Sequence, residues 1–476
     1  MEGKIKYLCS HFVTEINAFM AVVGSKELEE KHIGRLMWKY FWPAFVGVFA
    51  NALYNIVNRI FIGRGVGAEA LSGLSVVFPI MILVMAFGML IGIGAGARIS
   101  ISLGKKDINL AERVLGNGFV LMVIVGILVT IIGFVIKTPL LRSFGANDQT
   151  IGYAQQYLNI ILLGSVFQIV GFSLNSIIRS EGNPRNAMIS MLISAGLNAI
   201  LDPIFIFGLG LGVRGAAMGT VISQFVLTVW VLRHFLTKRG VLQLKYSNMK
   251  LDPKIIWQIV TIGMSPFAMQ VAGSFIQAIY NTQLIKYGSD IATGAMGIIN
   301  SVAILIVMSI IAINMASQPI IGFNYGAGKY SRVRQTWNIG MIAATVIAAA
   351  AFLLVELFPG TIVHLFNTKD PELYRICTHG IRIFILMLPL VGFQIICSNY
   401  FQSTGKAKIS LFLTLLRQVI VLLPLLLILP MIWGIDGIWF ASPISDFIST
   451  CVVFIFFRIE RRKLHLLETG QEFAKP

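Results

Sequence analysis

Residues 71–95, LSGLSVVFPIMILVMAFGMLIGIGA, run without one charged side chain and exceed the roughly 20 residues an α-helix needs to cross a bilayer. Comparable runs recur down the whole chain. The first half contains 41–62, 71–95, 115–136, 157–178, 188–208 and 217–235; the second contains 256–284, 296–321, 339–358, 381–400, 409–429 and 438–457. None alternates as a membrane strand would, so all are expected to be helices. The 476 residues are 56% hydrophobic and 12% charged, with 33 Phe and a mean hydropathy of +0.81. A soluble chain carries about twice that charge, so soluble enzymes and DNA-binding proteins are excluded.

Twelve spans put both termini on one side. Of the 38 Lys and Arg, counted with residues at span ends assigned to the nearer side, 28 fall on that side and eight on the other, while Arg382 and Arg417 are left within spans. The positive-inside rule then makes both termini cytoplasmic, and the net charge of +17 reflects topology, with no nucleic-acid partner. Trp38, Trp42, Trp257 and Trp337 near cytoplasmic ends, and Trp433 and Trp439 around the last outer loop, read as an interfacial aromatic belt. The four cysteines, Cys9, Cys377, Cys397 and Cys451, have no metal-ligand spacing and no visible disulfide placement. Residues 1–24 lack a cleavage signal and read as an arm, either disordered or an amphipathic surface helix, with Met20 an alternative start.

The chain repeats at a spacing of about 222 residues: Gly104 matches Gly326, Gly118 matches Gly340, Gly215 matches Gly437 and Ser223 matches Ser445. Gly182 in RSEGN answers Gly405 in QSTGK, and ALYN at 52–55 returns as AIYN at 278–281. Six spans per half is an even number, so the halves enter the membrane in the same orientation, a parallel repeat. The fold class is therefore an all-α polytopic membrane protein, with twelve transmembrane helices in two pseudo-symmetric six-helix lobes. The expected divisions are a cytoplasmic arm (1–35), an N-terminal lobe (36–239), a basic linker (240–254), a C-terminal lobe (255–460) and a cytoplasmic tail (461–476). Such a layout points to a transporter; a channel or structural membrane protein is the bland alternative.

Charges inside spans are costly, about 2.5–3.5 kcal/mol at a helix centre on insertion scales, so each needs a partner or a role. Asp202 in GLNAILDPIFIFG is the clearest, with Asn198 one turn earlier on the same face. Pro203 cannot bond the carbonyl of Ala199, which adds a freed backbone oxygen. Asn58, Asp202 and Thr220 all fall in the outer half of their spans. If those helices adjoin, Asn58, Asn198, Asp202 and Thr220 make a cation-coupling site. It would be either a sodium site on Asp202 and Asn198 or a cradle for a protonated Asp202. Arg417 and Asp446 read as an ion pair across neighbouring spans, although Asp446 facing a cavity could hold substrate cations. Arg382 lacks a visible partner and either meets an anionic group or snorkels. Gln270, Gln277, Asn300, Met269 and Met308 suit a permissive cavity, and equally suit helix–helix bonds. No Walker motif, metal constellation or hydrolase elbow occurs, so the chain is not read as an enzyme and needs no cofactor; any coupling draws on an ion gradient.

These residues resemble the multidrug and toxic compound extrusion (MATE) family. The likeness rests on ALYNIVNRIFIG, RSEGNPRNA, GLNAILDPIFIFGLGLGVRGAAMGT and ASQPIIGFNYGAGK, and covers about 33–462. The last of these stretches and the DP-containing fifth span look like its MepA-type bacterial branch. The resemblance implies two six-helix lobes in a V and rocker-switch exchange of inward cations, H+ or Na+, for outward amphipathic or cationic drugs. It also implies an ion site in the N-terminal lobe; the chain is expected in the bacterial inner membrane, as a monomer. Asn198, Asp202 and Thr220 match the family's polar site. Asn58 departs from it, standing where the first-helix motif usually has Asp, and the C-terminal acids of sodium-driven relatives have no counterpart. A lipid-linked oligosaccharide flippase of the same superfamily is the rival reading, with an uncoupled structural membrane protein behind it.

Overall fold

The structure, a computed structural model, describes residues 27–237, 240–364, 366 and 370–469. Among them every regular element is a helix. The sequence punctuates these helices locally: Asp107, Asn183 and Asp370 each accept a bond from a backbone N–H of the helix they open, and Pro184 and Pro371 follow directly, where a missing N–H costs nothing.

Six spans fill the first half: Ile33–Gly65, Ala68–Gly104, Ile108–Ser143, Ile151–Ser180, Pro184–Pro203 and Gly212–Leu236. A π-helical turn, Ile204–Gly208, extends the fifth. The seventh to ninth spans are Pro253–Tyr287, Asp290–Gly326 and Tyr330–Leu357. The tenth is broken, Pro371–Phe384 and Leu388–Ser403 meeting at 48°. Pro389 opens its second piece and cannot continue a helix through the preceding turn. The eleventh, 407–433, carries a π-helical stretch, Leu416–Leu422, and Ile435–Thr469 is the twelfth. Eleven of these are long and apolar enough to cross a membrane, and the bent pair makes twelve. Most helices overrun their apolar runs by several residues, because hydropathy marks the hydrocarbon thickness while the helix persists to its cap. The twelfth accordingly runs to Thr469, through much of the expected tail. Residues 1–24, with Cys9 and Met20, lie outside the described residues.

Trp38, Trp42, Trp257 and Trp433 are exposed on helix surfaces, but Trp337 and Trp439 are wholly buried and do not belong to an interfacial belt. Trp337 stacks on Tyr400 at 3.9 Å, and Trp439 packs where Gly380 leaves room. Their positions near span ends reflect cores that reach the helix termini. Cys377 and Cys397 are buried and free, and Cys451 is exposed and free.

Packing divides the chain into two compact units. The first holds the described residues to Phe267 together with Gly322–Gly328; the second holds Ala268–Ile321 and the residues from Lys329 on. The division falls inside the seventh helix, beyond the basic linker. The reason is visible in the linker itself, which is fastened to the first unit. Leu242 N–H donates to Glu181, Lys245 pairs with Glu112 at 2.7 Å, Asp252 N–H donates to Asn117 at 2.6 Å, and Arg113 pairs with Asp252 at 2.8 Å. Glu181 is itself buried against His234, whose other ring nitrogen faces Asn186 at 2.7 Å. Gly322–Gly328 joins the first unit through backbone contact. A side chain on Gly104 would strike the carbonyl of Phe323, and one on Gly326 would strike that of Ile101, so the two repeat-related glycines approach each other's helices reciprocally.

In the first unit an apolar core including Ile62, Leu74, Val77, Leu158 and Ile206 lies beside the polar residues of the first, fifth and sixth helices. In the second unit the Trp337–Tyr400 stack is tied to the twelfth helix, where the Tyr400 hydroxyl donates to Glu460 at 3.0 Å and Lys406 pairs with the same carboxylate.

Candidate functional site

Asn58, Asn198, Asp202 and Thr220 come together in the first unit, each at least nine-tenths buried. The helical repeat sets Asn198 and Asp202 one turn apart, and Asn198 Nδ2 donates to Asp202 Oδ1 at 3.0 Å. The same amide donates to Thr220 Oγ1 at 3.4 Å, and Asn58 Nδ2 reaches that hydroxyl at 3.4 Å from the first helix. Gly219 makes the approach possible, since a Cβ there would sit on Asp202 Oδ1. Pro203 and the π-helical turn that follows leave the carboxylate at the end of regular α-helix, next to the carbonyl Pro203 cannot bond.

The balance of donors and acceptors is incomplete. Asp202 Oδ2, Asn58 Oδ1 and Ser223 Oγ are buried without a hydrogen-bond partner. No Lys, Arg or His forms an ion pair with Asp202 among the described residues. A buried carboxylate left so is costly unless a cation or a proton meets it. Asn198 offers its NH2 to Asp202, an arrangement that stabilises a carboxyl group but presents no amide oxygen to a metal. No cluster of three or more His, Cys, Asp or Glu suited to a metal ion occurs among the described residues.

Two members of the site carry no signal in the sequence. Tyr157, fully buried on the fourth helix, and Tyr54, on the wall of the cavity next to Asn198 and Thr220, lie near the site. Both are aromatic residues in apolar runs, where nothing separates a site hydroxyl from a core ring.

Beside the site is a cavity of about 240 Å³ inside the first unit. Asn198, Thr220 and Ser223 form part of its wall; Met81, Met85, Met191, Phe78, Phe167 and Phe172 supply soft apolar surface, and Gln168 and Gln224 polar anchors. The residues chosen from the sequence for such a cavity lie elsewhere. Met269, Gln270, Gln277, Asn300 and Met308 all belong to the second unit, where Asn300 Nδ2 donates to Gln277 Oε1 at 3.4 Å. That bond is the helix–helix role the residue types also allow.

In the second unit Arg417 Nε lies 2.6 Å from Asp446 Oδ1, and Ser445 Oγ donates to the Arg417 carbonyl at 2.7 Å. Arg382 does have a partner: it lies 3.4 Å from the carboxylate of Glu356, near the bend in the tenth span. Glu356 was invisible as a partner because it comes from another helix, 26 residues away.

The family model described as MatE matches residues 43–204 and 266–428. Multidrug export protein MepA of Staphylococcus haemolyticus (strain JCSC1435) is 29% identical over 430 residues, covering 90% of this chain and 94% of that one. MepA of Staphylococcus aureus (strain MSSA476) is 27% identical over 425 residues, covering 89% and 93%. Among solved structures, the MATE multidrug transporter DinF-BH, solved in complex with a dye, is 38% identical with a TM-score of 0.86, covering 91% of this chain and 97% of that one. An outward-facing MATE family transporter of the MOP superfamily has a TM-score of 0.87 at 24% identity, covering 92% and 98%, and shares the fold.

Proposed function

Since this chain belongs to the MatE family, we propose that it is a secondary active multidrug exporter driven by an inward cation gradient, with Asp202 as the coupling carboxylate. The observation that carries the reading is the lone Asp202 Oδ2, buried, unpaired and close to a cavity wall formed in part by Asn198 and Thr220. A proton is the coupling ion this hydrogen-bond set favours. Asn198 holds one carboxylate oxygen while the other stands open to receive a proton, and binding it removes the charge whose burial is costly. Asn58 cannot take up a second proton, so Asp202 works alone.

Protonation from the outer side and release to the cytoplasm would alternate with drug release and drug binding as the lobes rock, a rocker-switch cycle in a bacterial inner membrane with both termini cytoplasmic. The Met- and Phe-lined cavity beside Asp202 suits amphipathic or cationic molecules, since flexible thioethers and ring faces accept many shapes and favour positive charge. The relative solved with a bound dye accords with that substrate class. The flippase reading needs free cationic groups for a lipid phosphate, and Arg382 and Arg417, the candidates in the second unit, are each paired with a carboxylate.

Ethidium efflux from proteoliposomes, under an imposed pH gradient and separately a sodium gradient, tests the assignment against Asp202→Asn. Efflux that follows the pH gradient and disappears in the variant is the expected result. Efflux that follows sodium alone moves the coupling ion to the other candidate, and unchanged efflux in the variant removes Asp202 from the mechanism.

A further inference from the structure

On the twelfth helix, Phe454, Arg458, Arg461 and His465 recur at steps of four, three and four and share one face, with Arg462 beside them, three residues before His465. That face lies at the cytoplasmic end, just past the apolar run that stops at Phe457. Arg458, Arg461, Arg462 and His465, with Arg334 of the ninth helix, line a cavity of about 610 Å³ in the second unit. Arg334 is neutralised by Glu468 at 3.2 Å. Among the described residues no carboxylate pairs with Arg458, Arg461 or Arg462. The nearest buried acid on the same helix, Glu460, faces away and is held by Lys406 and Tyr400. Two of the guanidinium groups rest on rings instead: Arg458 lies 5.8 Å from the centroid of Phe454 and Arg461 5.8 Å from that of Phe457. Ring faces hold these arginines in place without cancelling their charge.

The cavity therefore offers three unneutralised guanidinium groups around a space that fits a phosphate, the anion whose oxygens best match their forked donors. A phosphate there could be free or part of a lipid. The apolar surface on the membrane side decides between them, because Phe454 and Ile455 are about half exposed along the helix leading into the cavity. A free anion makes no use of that surface, whereas acyl chains would lie along it. We propose that this cavity binds the headgroup of an anionic phospholipid of the inner leaflet, with its phosphate on Arg458, Arg461 and Arg462 and its chains against Phe454 and Ile455.

The test is native mass spectrometry of the detergent-solubilised full chain titrated with phosphatidylglycerol, phosphatidylcholine or inorganic phosphate. Phosphatidylglycerol should be retained far more tightly than phosphatidylcholine. Arg458→Gln/Arg461→Gln/Arg462→Gln should weaken retention on the order of a hundredfold. The Lys105→Gln/Lys106→Gln control, which removes two exposed charges from another cytoplasmic turn, should leave it intact. Equal weakening in that control would reduce the effect to general surface charge and overturn the site. So would unchanged binding in the triple variant, or competition by inorganic phosphate at the lipid's own concentration. If the triple variant does not fold, Arg458→Gln alone carries the test: a several-fold loss is expected, and no loss overturns the proposal.

Discussion

Each unit buries one aspartate on a membrane helix, and the two are treated in opposite ways. Asp446 has Arg417 at 2.6 Å, with the arginine's backbone carbonyl tied down by Ser445. Asp202 has amides and hydroxyls around it and one oxygen left over. The repeat copies neither: one repeat length from Asp202 stands Pro424, and one repeat length before Asp446 stands Gln224. A carboxylate already neutralised by a fixed guanidinium gains little from a second cation, whereas an unpaired one still gains from a proton or a bound cation. The duplicated plan thus pairs one buried aspartate with a fixed cation and leaves an oxygen of the other without a partner, as the proposed coupling role requires.

The comparison breaks most sharply at Asp202. Asp202→Asn keeps size and shape, so the protein should fold while gradient-driven ethidium efflux in proteoliposomes falls to the empty-liposome level; normal efflux would erase the distinction between the halves. Asp446→Ala should do the reverse in kind. It strands a half-buried Arg417, which costs about 2 kcal/mol, and the loss should appear in thermal unfolding in detergent. Arg417→Leu/Asp446→Leu together should recover most of that stability and retain efflux, and a double variant that stays folded yet inactive would give Asp446 a working role. Asn58→Asp offers a subtler probe, since it supplies a second carboxylate beside Thr220. Reversal-potential measurements should then show one more proton exchanged per drug, and an unchanged ratio would mean the position does not reach the coupling ion. Smallest is Thr220→Val, which removes one hydroxyl from two 3.4 Å bonds and should cost about 1 kcal/mol, a roughly fivefold loss in efflux.

How much of this could be read in advance follows from the range of the interactions. Asn198 and Asp202 are one turn apart on one helix, and four residues of spacing suffice to place them together. Asn58 and Thr220 were reachable by depth alone, since residues at one level of the membrane can meet if their helices adjoin. Tyr157, Gly219 and the Glu356 partner of Arg382 depend on how helices rotate against one another, which the linear pattern does not encode. Met269 and Met308 have the same chemistry as Met81 and Met191, and only packing sets the second pair on the wall of the cavity beside Asp202. Pro389 stands at the break in the tenth span, but Pro79 and Pro266 stand in comparable apolar runs whose helices continue, so proline alone does not place a break. The π-helical stretches at 204–208 and 416–422 are not singled out by the sequence pattern, although Pro203 directly precedes the first.

The reciprocal approach of Gly104 and Gly326 also has a bearing on the order of synthesis. Chains emerge from the ribosome N-terminus first and units generally fold as they appear, yet the first unit includes Gly322–Gly328. When the sixth span has been made, the groove at Ile101–Gly104 still lacks the segment that fills it. The early half must then wait in the bilayer, incompletely packed, until the eighth span has been inserted. A truncated chain ending at residue 237 should accordingly be more open to proteolysis at that end than the same helices in the finished protein.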